Sequence, residues 1–283
     1  MLPEKITPRH FLKAKKEGRK IVMITAYDAI QAKIVDEAGV DGILVGDSLG
    51  MVIMGYRSTL PVTMGMIIHH LKAVLNASPK ALVVADMPFL SYEISKEEAL
   101  RNAGKLIKLG ADAVKLEGGV EIIDIIEAMT RIGIPVMGHI GLNPQRYLLR
   151  GLRLRGSDAE DAKKVFEDAK ALEKAGVFSI VIEFTTSEVA AEVTRMLKIP
   201  TICIGSGPLC DGQILVFHDV VGLTPNPPPF ARKYINALEI FSRAVENYVR
   251  DVREGSFPGR NEYYSMDNKE YERFKKMIEA KSD

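Results

Sequence analysis

Cysteine, an excess of one charge and long apolar runs are what this sequence has least of, and each shortage excludes a class of protein. Its two cysteines, Cys203 and Cys210, are too few for a disulfide framework, and no Cys-x-x-Cys pair offers a zinc or redox motif. Reduced thiols in a cytoplasmic setting are the expectation. Lysine and arginine total 38 against 37 aspartate and glutamate, so there is no basic field to hold nucleic acid. The first twenty residues carry charges throughout and lack the apolar stretch of about 7 to 15 residues that a secretory leader needs. No run approaches the roughly 20 apolar residues of a membrane span. Glutamine is scarce too, at Gln31, Gln145 and Gln213, a bias that heat-adapted proteins share.

What is present is ordinary globular material, 47% hydrophobic and 27% charged, long enough for one α/β barrel or two smaller domains. Eight short runs rich in valine and isoleucine stand out: IVMITA from Ile21, DGILVG from Asp41, ALVVAD from Ala81, DAVKLE from Asp112, PVMGHI from Pro135, SIVIEF from Ser179, PTICIG from Pro200 and ILVFHD from Ile214. They are apolar continuously rather than alternately, as in parallel strands covered on both faces. Longer stretches of helical periodicity separate them. Ser95 to Glu98, Ser157 to Glu160 and Thr185 to Glu188 fit capping boxes, and Gly39, Gly110, Gly133 and Gly176 stand where helices should stop. The pattern predicts a single (β/α)₈ barrel domain over residues 1–283, with an open doubly wound sheet as the alternative. Thr7 and Pro8 open a short N-terminal helix over about 7–18. A helical pattern from Ala231 to about Arg253 lies in a C-terminal extension over about 225–283, whose last thirty residues show no strand pattern.

A barrel of this kind places its chemistry where the strands end. At or just past the ends of the eight runs lie Tyr27, Asp28, Asp47, Ser48, Asp86, Lys115, Glu117, His139, Glu183, Ser206, His218 and Asp219. Asp47, Asp86 and Glu117 come from neighbouring strands, and three carboxylates on one rim repel unless a cation offsets them. They form a candidate hard-oxygen site for Mg²⁺, although any one of them could instead cap a helix. Lys115 and Glu117 are two apart on one strand and share a face. They can point into the mouth, where Lys115 would neutralise a substrate oxyanion, or form a structural ion pair. Glu183 lacks a basic neighbour in sequence and is a candidate general base, or a buried carboxylate held by backbone donors.

Other features are weaker. Gly46-Asp47-Ser48-Leu49 spells a serine-esterase signature, but no aspartate has histidine three residues later to serve it. The glycine-rich IGSGPLCDG from Ile204 does not match Gly-x-Gly-x-x-Gly, so no dinucleotide site is expected. His69 and His70 fall in a helical pattern and read as packing or surface groups. Tyr56, Arg57 and the STLPVT that follows could form a lid or a plain loop.

Longer blocks resemble a known family. YDAIQAKIVDEAGVDGILVGDSLGMV from Tyr27, then TLPVTMGMIIHHLKAV, ADMPFLSY, AVKLEGG, GIPVMGHIGLNPQ, AGVFSIVIE and GPLCDGQILVFHD, are similar in content and order to the ketopantoate hydroxymethyltransferases. The resemblance implies a (β/α)₈ barrel, assembled as a homodecamer, that transfers a hydroxymethyl group from 5,10-methylenetetrahydrofolate to 3-methyl-2-oxobutanoate. The product, 2-dehydropantoate, leads to pantothenate and coenzyme A. It further implies Mg²⁺ on Asp47 and Asp86, with Glu117 in the shell directly or through water. Asp47, Ser48, Asp86, Lys115 and His139 would contact the keto acid, and Glu183 would accept the proton. A Mg²⁺-dependent carbon–carbon lyase acting on a 2-oxo acid without a pterin is the competing reading. Loss of an acidic or basic residue at the mouth would have marked a non-catalytic barrel, and each position is filled.

Overall fold

The computed structural model describes residues 5–280. Eight strands, β1 (Ile21–Thr25), β2 (Gly42–Val45), β3 (Leu82–Asp86), β4 (Ala113–Glu117), β5 (Val136–Gly141), β6 (Ser179–Glu183), β7 (Thr201–Ile204) and β8 (Gly212–Leu215), form a closed parallel barrel in sequence order. β8 pairs back to β1, with Ile21 opposite Gly212. Helix α1 (Pro8–Lys16) precedes the barrel and α2 (Ala29–Glu37) follows β1. After β2 come α3 (Leu49–Val52) and α4 (Met64–Asn76); α5 (Lys96–Leu109) follows β3 and α6 (Ile123–Arg131) follows β4. Then α7 (Tyr147–Arg150) and α8 (Ala159–Lys174) follow β5, α9 (Ser187–Met196) follows β6, and α10 (Phe217–Val221) follows β8. Among the described residues no helix is long and apolar enough to cross a membrane.

The unbroken apolar runs have the burial expected of strands covered on both faces. One set of side chains, including Ile43, Val83, Val114, Leu116, Ile140, Ile180 and Ile182, packs outward under the helices. The alternate set, including Met23, Leu82, Val84, Ala113, Met137, Val181 and Ile214, fills the barrel interior. α1 belongs to the interior set through Phe11 and Ala14, and Phe11 meets Phe178 edge to face at 5.9 Å. It plugs the end of the barrel opposite the strand C-termini. Burying Phe11 stabilises the fold by about 2 kcal/mol.

The helix signals hold in most places. Thr7 caps α1 in a reciprocal box with His10. Ser95 Oγ accepts from Glu98 N, and the four predicted stop glycines all have positive φ. Two boxes are displaced. Asp158, rather than Ser157, caps α8 by accepting from Asp161 N, and Thr185 turns back to bond the Glu183 carbonyl while Thr186 precedes α9. In the first a neighbouring carboxylate reaches the free backbone donor before the serine does, and in the second Thr186 Oγ1 donates to Gly156 O and leaves α9 without a side-chain cap.

Other boundaries differ from the sequence expectation. The eighth run starts its strand earlier, at Gly212, and Phe217, His218 and Asp219 turn into α10. β7 reaches β8 through Gly205–Asp211, where Gly207 and Pro208 leave no helix. Cys203 in β7 and Cys210 within that turn are joined as a disulfide, Cα to Cα 5.9 Å, instead of remaining free thiols. The fold of that turn brings them to bridging distance, which a sequence separation cannot reveal.

The chain divides into two compact units, through Ile235 and from Asn236. The second contains α11 (Ala237–Glu254) and α12 (Asn268–Glu279). α11 starts later than Ala231, after the proline-rich Pro225–Pro229 segment and an irregular stretch. α12 falls in the part of the extension where no strand was expected.

Candidate active site

Strand register assembles the site. Asp86 closes β3 opposite Lys115 of β4, Glu117 closes β4 opposite His139 of β5, and Glu183 closes β6 opposite Gly141. Lys115 and Glu117 continue the interior series begun by Ala113, since side chains two apart share a face. Both therefore point into the mouth, and both are buried.

The polar groups connect in one line. Glu183 Oε2 stands 3.1 Å from His139 Nε2, and His139 Nδ1 stands 3.3 Å from Glu117 Oε1. Lys115 Nζ lies 3.7 Å from Glu117 and donates to both oxygens of Asp86 at 2.7 and 2.9 Å. Asp47 N donates to Asp86 Oδ2 at 3.2 Å. Asp47, Asp86, Lys115, Glu117, His139 and Glu183 are thus brought together, and Glu183 finds on the next strand the basic neighbour its own segment lacks.

The charges in this line are unequal. Burial pushes the Asp47 carboxyl well above the usual carboxylate range, and Asp86 and Glu117 push it further. Burial also raises Asp86, against the pull of Lys115. Burial opposes ionised Glu117 as well, but His139 and Lys115 outweigh it and hold that carboxyl low. For Lys115, burial is overcome by Asp86, Glu117 and Asp47, so its ammonium is held more firmly than usual. Burial and Lys115 disfavour the His139 imidazolium, yet Glu117 and Glu183 raise its pKa to about 9. Four carboxyl groups therefore face two cationic ones, and Asp47 is the carboxyl whose ionisation most needs a further positive charge.

That surplus suits a further cation. Among the described residues no three His, Cys, Asp or Glu side chains form a ready metal cage. The donor chemistry fits a hard ion that takes one or two carboxylates and completes its shell with water and substrate oxygens, as Mg²⁺ does. Asp47 and Asp86, the latter already accepting from Lys115 through both oxygens, are the carboxylates that could hold it. Glu117 has Oε2 accepting from Gln145 N at 3.0 Å and Oε1 facing His139 and Lys115.

Two neighbours carry no charge and escaped the sequence reading. Gln145, just past β5, donates through Nε2 to Asp47 Oδ2 at 2.8 Å and to Met87 O at 3.1 Å. Tyr92 Oη stands 2.9 Å from both Gln145 Oε1 and Glu117 O, which share its single hydroxyl proton. Both lie within the blocks that resemble the family, and that was their only signal.

The remaining candidates have contacts of their own. Ser48 Oγ and Tyr27 Oη share a hydrogen bond of 2.7 Å, and burial raises the Tyr27 phenol pKa above its ordinary value. Asp28 caps α2 through Gln31 N. Ser206 Oγ accepts from Thr185 N and donates to Ile182 O, supporting the backbone around Glu183. His218 stacks at 5.7 Å from Tyr27, with Asp219 beside it in α10. His70 Nδ1 pairs with Tyr27 O, and His69 is exposed. Tyr56 and Arg57 lie in a connecting loop that ends at Thr63, the cap of α4.

The backbone is exacting at the β5–β6 rim. Gly141 has φ +87°, and a Cβ there would stand 2.3 Å from Glu183 O. Phe184, directly after Glu183, adopts φ +41°, a left-handed conformation that side chains other than glycine rarely accept.

A family profile described as Ketopantoate hydroxymethyltransferase matches residues 5–260. The chain belongs to the ketopantoate hydroxymethyltransferase family. A Hyperthermus butylicus protein named 3-methyl-2-oxobutanoate hydroxymethyltransferase is 58% identical over 276 residues, covering 97% of this chain and 96% of its own. One of the same name from Caldivirga maquilingensis is 59% identical over 261 residues, 92% of this chain and 98% of its own. Family membership makes the chain an enzyme. Among solved structures, phosphoenolpyruvate phosphomutase from Streptomyces platensis subsp. rosaceus superposes with a TM-score of 0.63 at 14% identity, covering 98% of this chain and 97% of its own. A 2,3-dimethylmalate lyase of the PEP mutase/isocitrate lyase superfamily gives 0.58 at 17%, covering 99% and 100%. At such identities the likeness establishes a shared barrel, and it does not favour the lyase reading over the transferase.

Proposed function

We propose that this enzyme transfers a hydroxymethyl group from 5,10-methylenetetrahydrofolate to 3-methyl-2-oxobutanoate, forming 2-dehydropantoate for pantothenate and coenzyme A synthesis. The observation that carries the reading is the line from Glu183 through His139 to the Lys115, Asp86 and Asp47 group. It sets a proton acceptor at one end and an anion-holding group at the other, as proton abstraction beside a ketone requires.

Asp47 and Asp86 would hold Mg²⁺, with Glu117 in its shell directly or through water. When bound, the ion supplies Lewis acidity toward the carboxylate and ketone oxygens of the keto acid. Lys115 brings a fixed positive charge to the same oxygens, and Ser48 lies at the adjoining rim to contact the acid. Glu183 accepts the proton from carbon three, and His139 orients its carboxylate for the transfer. The enolate so formed, stabilised by the Lys115 ammonium, makes its new carbon–carbon bond to the methylene carbon of the pterin; the two carbon–nitrogen bonds to that carbon break, and one water supplies the hydroxyl and the proton that let tetrahydrofolate leave. A homodecameric assembly in the cytoplasm belongs to the same proposal.

Proton NMR of the keto acid in D₂O tests it, with and without Mg²⁺ and methylenetetrahydrofolate. Metal-dependent loss of the carbon-three proton, followed by folate-dependent formation of 2-dehydropantoate, is expected. Exchange without conversion would replace the one-carbon donor, and no exchange would return the lyase to first place.

A further inference from the structure

Gln145 is an uncharged side chain that touches the acidic group at the mouth directly. It is buried, as is Tyr92. Its amide is fully used: both Nε2 hydrogens go to acceptors, Asp47 Oδ2 and Met87 O, while Oε1 accepts from Tyr92 Oη. The reverse orientation would aim Oε1 at Met87 O, a carbonyl with no proton to give, so the surroundings select this setting. The backbone adds a fourth contact, because Gln145 N donates to Glu117 Oε2. A single residue on the loop after β5 therefore grips carboxylates from the ends of β2 and β4.

We propose that Gln145, locked by Tyr92, is a positioning residue that fixes one oxygen of Asp47 and one of Glu117 and thereby presents the remaining Asp47 oxygen to a divalent cation. The inference rests on Asp47 and Asp86 being the metal carboxylates. A hydrogen bond to one oxygen of a ligating carboxylate orients the other, and such outer partners typically change metal affinity by about 10- to 100-fold. Tyr92 acts one step further out. Its hydroxyl bonds Glu117 O as well as the amide, so it ties the Gln145 setting to the end of β4. No proton is moved and no bond is formed by either residue.

The experiment measures Mn²⁺ binding to the full-length protein by the free-ion EPR signal, for the parent, Gln145→Met, Tyr92→Phe and Asp47→Asn. Methionine matches the length of glutamine and donates no hydrogen bond. Gln145→Met should raise the Mn²⁺ dissociation constant tenfold or more, with Tyr92→Phe between it and the parent. At saturating Mn²⁺ the carbon-three exchange rate should recover to within about threefold of the parent, the pattern of a positioning defect. A purely structural role would instead lower the melting temperature of metal-free protein and leave affinity unchanged. Affinity of Gln145→Met within twofold of the parent overturns the inference, and Tyr92→Phe decides the matter by the same readout should Gln145→Met fail to fold. If the parent itself binds no Mn²⁺, or Asp47→Asn binds as tightly as the parent, the metal reading fails instead.

Discussion

Glu183 pairs with His139 at one end of the line of contacts, so its replacement separates proton transfer from binding. Glu183→Gln keeps the shape and the hydrogen bonding but removes the proton acceptor. Deuterium exchange at carbon three should fall by about 10²- to 10⁴-fold, with Mn²⁺ affinity within twofold of the parent. Persistent exchange in the variant would place the base elsewhere. Beside the β5–β6 rim, Arg155 grips Asp161 through Nε and Nη2 and reaches Gly141 O. Its hydrogen bonds outweigh burial and hold the Asp161 pKa at about 2. A carboxylate held below its unfolded value, about 3.9, contributes stability that is complete above the unfolded pKa and is lost as pH falls toward 2. That contribution is about 1 to 2 kcal/mol. Urea midpoints of the parent and Asp161→Asn should therefore differ at pH 7 and converge between pH 4 and 2; a pH-independent gap would assign the pair no ionic role. At this scale the charged site was legible, because ionisable residues at the ends of apolar runs stand out. Gln145 was not, since an uncharged amide in a loop has no periodicity to mark it, and its importance comes from contacts across the barrel.

Strands were the most legible elements, since a run buried on both faces must be apolar throughout. Their ends were less so. Val216-Phe217-His218 reads as a continuation of the eighth run, yet the chain turns into α10 once the sheet pairing stops. The Cys203–Cys210 bridge was illegible, because proximity of its two ends arises from the fold of the β7–β8 turn. α1 was legible as a helix from Thr7 and Pro8, but not as a plug, since nothing local says where an amphipathic helix will dock. Phe11→Ala should cost about 3 to 5 kcal/mol by emptying the space against Phe178. The check is a denaturant midpoint alongside the exchange rate of the folded enzyme. The midpoint should fall while the rate holds, because plug and mouth lie at opposite ends of the barrel; an equal loss of rate would mean that the plug shapes the mouth.

For the whole molecule, the surplus of acid at the mouth means that stability and ligand binding are coupled. Asp47 is buried among like charges, so Asp47→Asn should raise the melting temperature of metal-free protein while abolishing the rise that Mg²⁺ produces in the parent. Saturation at a hundredfold over the dissociation constant is worth about 2.7 kcal/mol in the parent. Calorimetry with EDTA and with Mg²⁺ checks both signs, and a Mg²⁺ response surviving in Asp47→Asn would dissociate the ion from that carboxylate.

Barrel closure also ties folding to the order of synthesis. β1 finds its second neighbour only in β8, and the Phe11 plug rests on Phe178 from just before β6. A growing chain leaving the ribosome must therefore hold β1 with one edge open, and its plug without a seat, until most of the barrel has emerged. An open edge invites pairing with other chains. Nascent chains stalled before Gly212 should thus be the species that chaperones retain, and release should coincide with the emergence of β8.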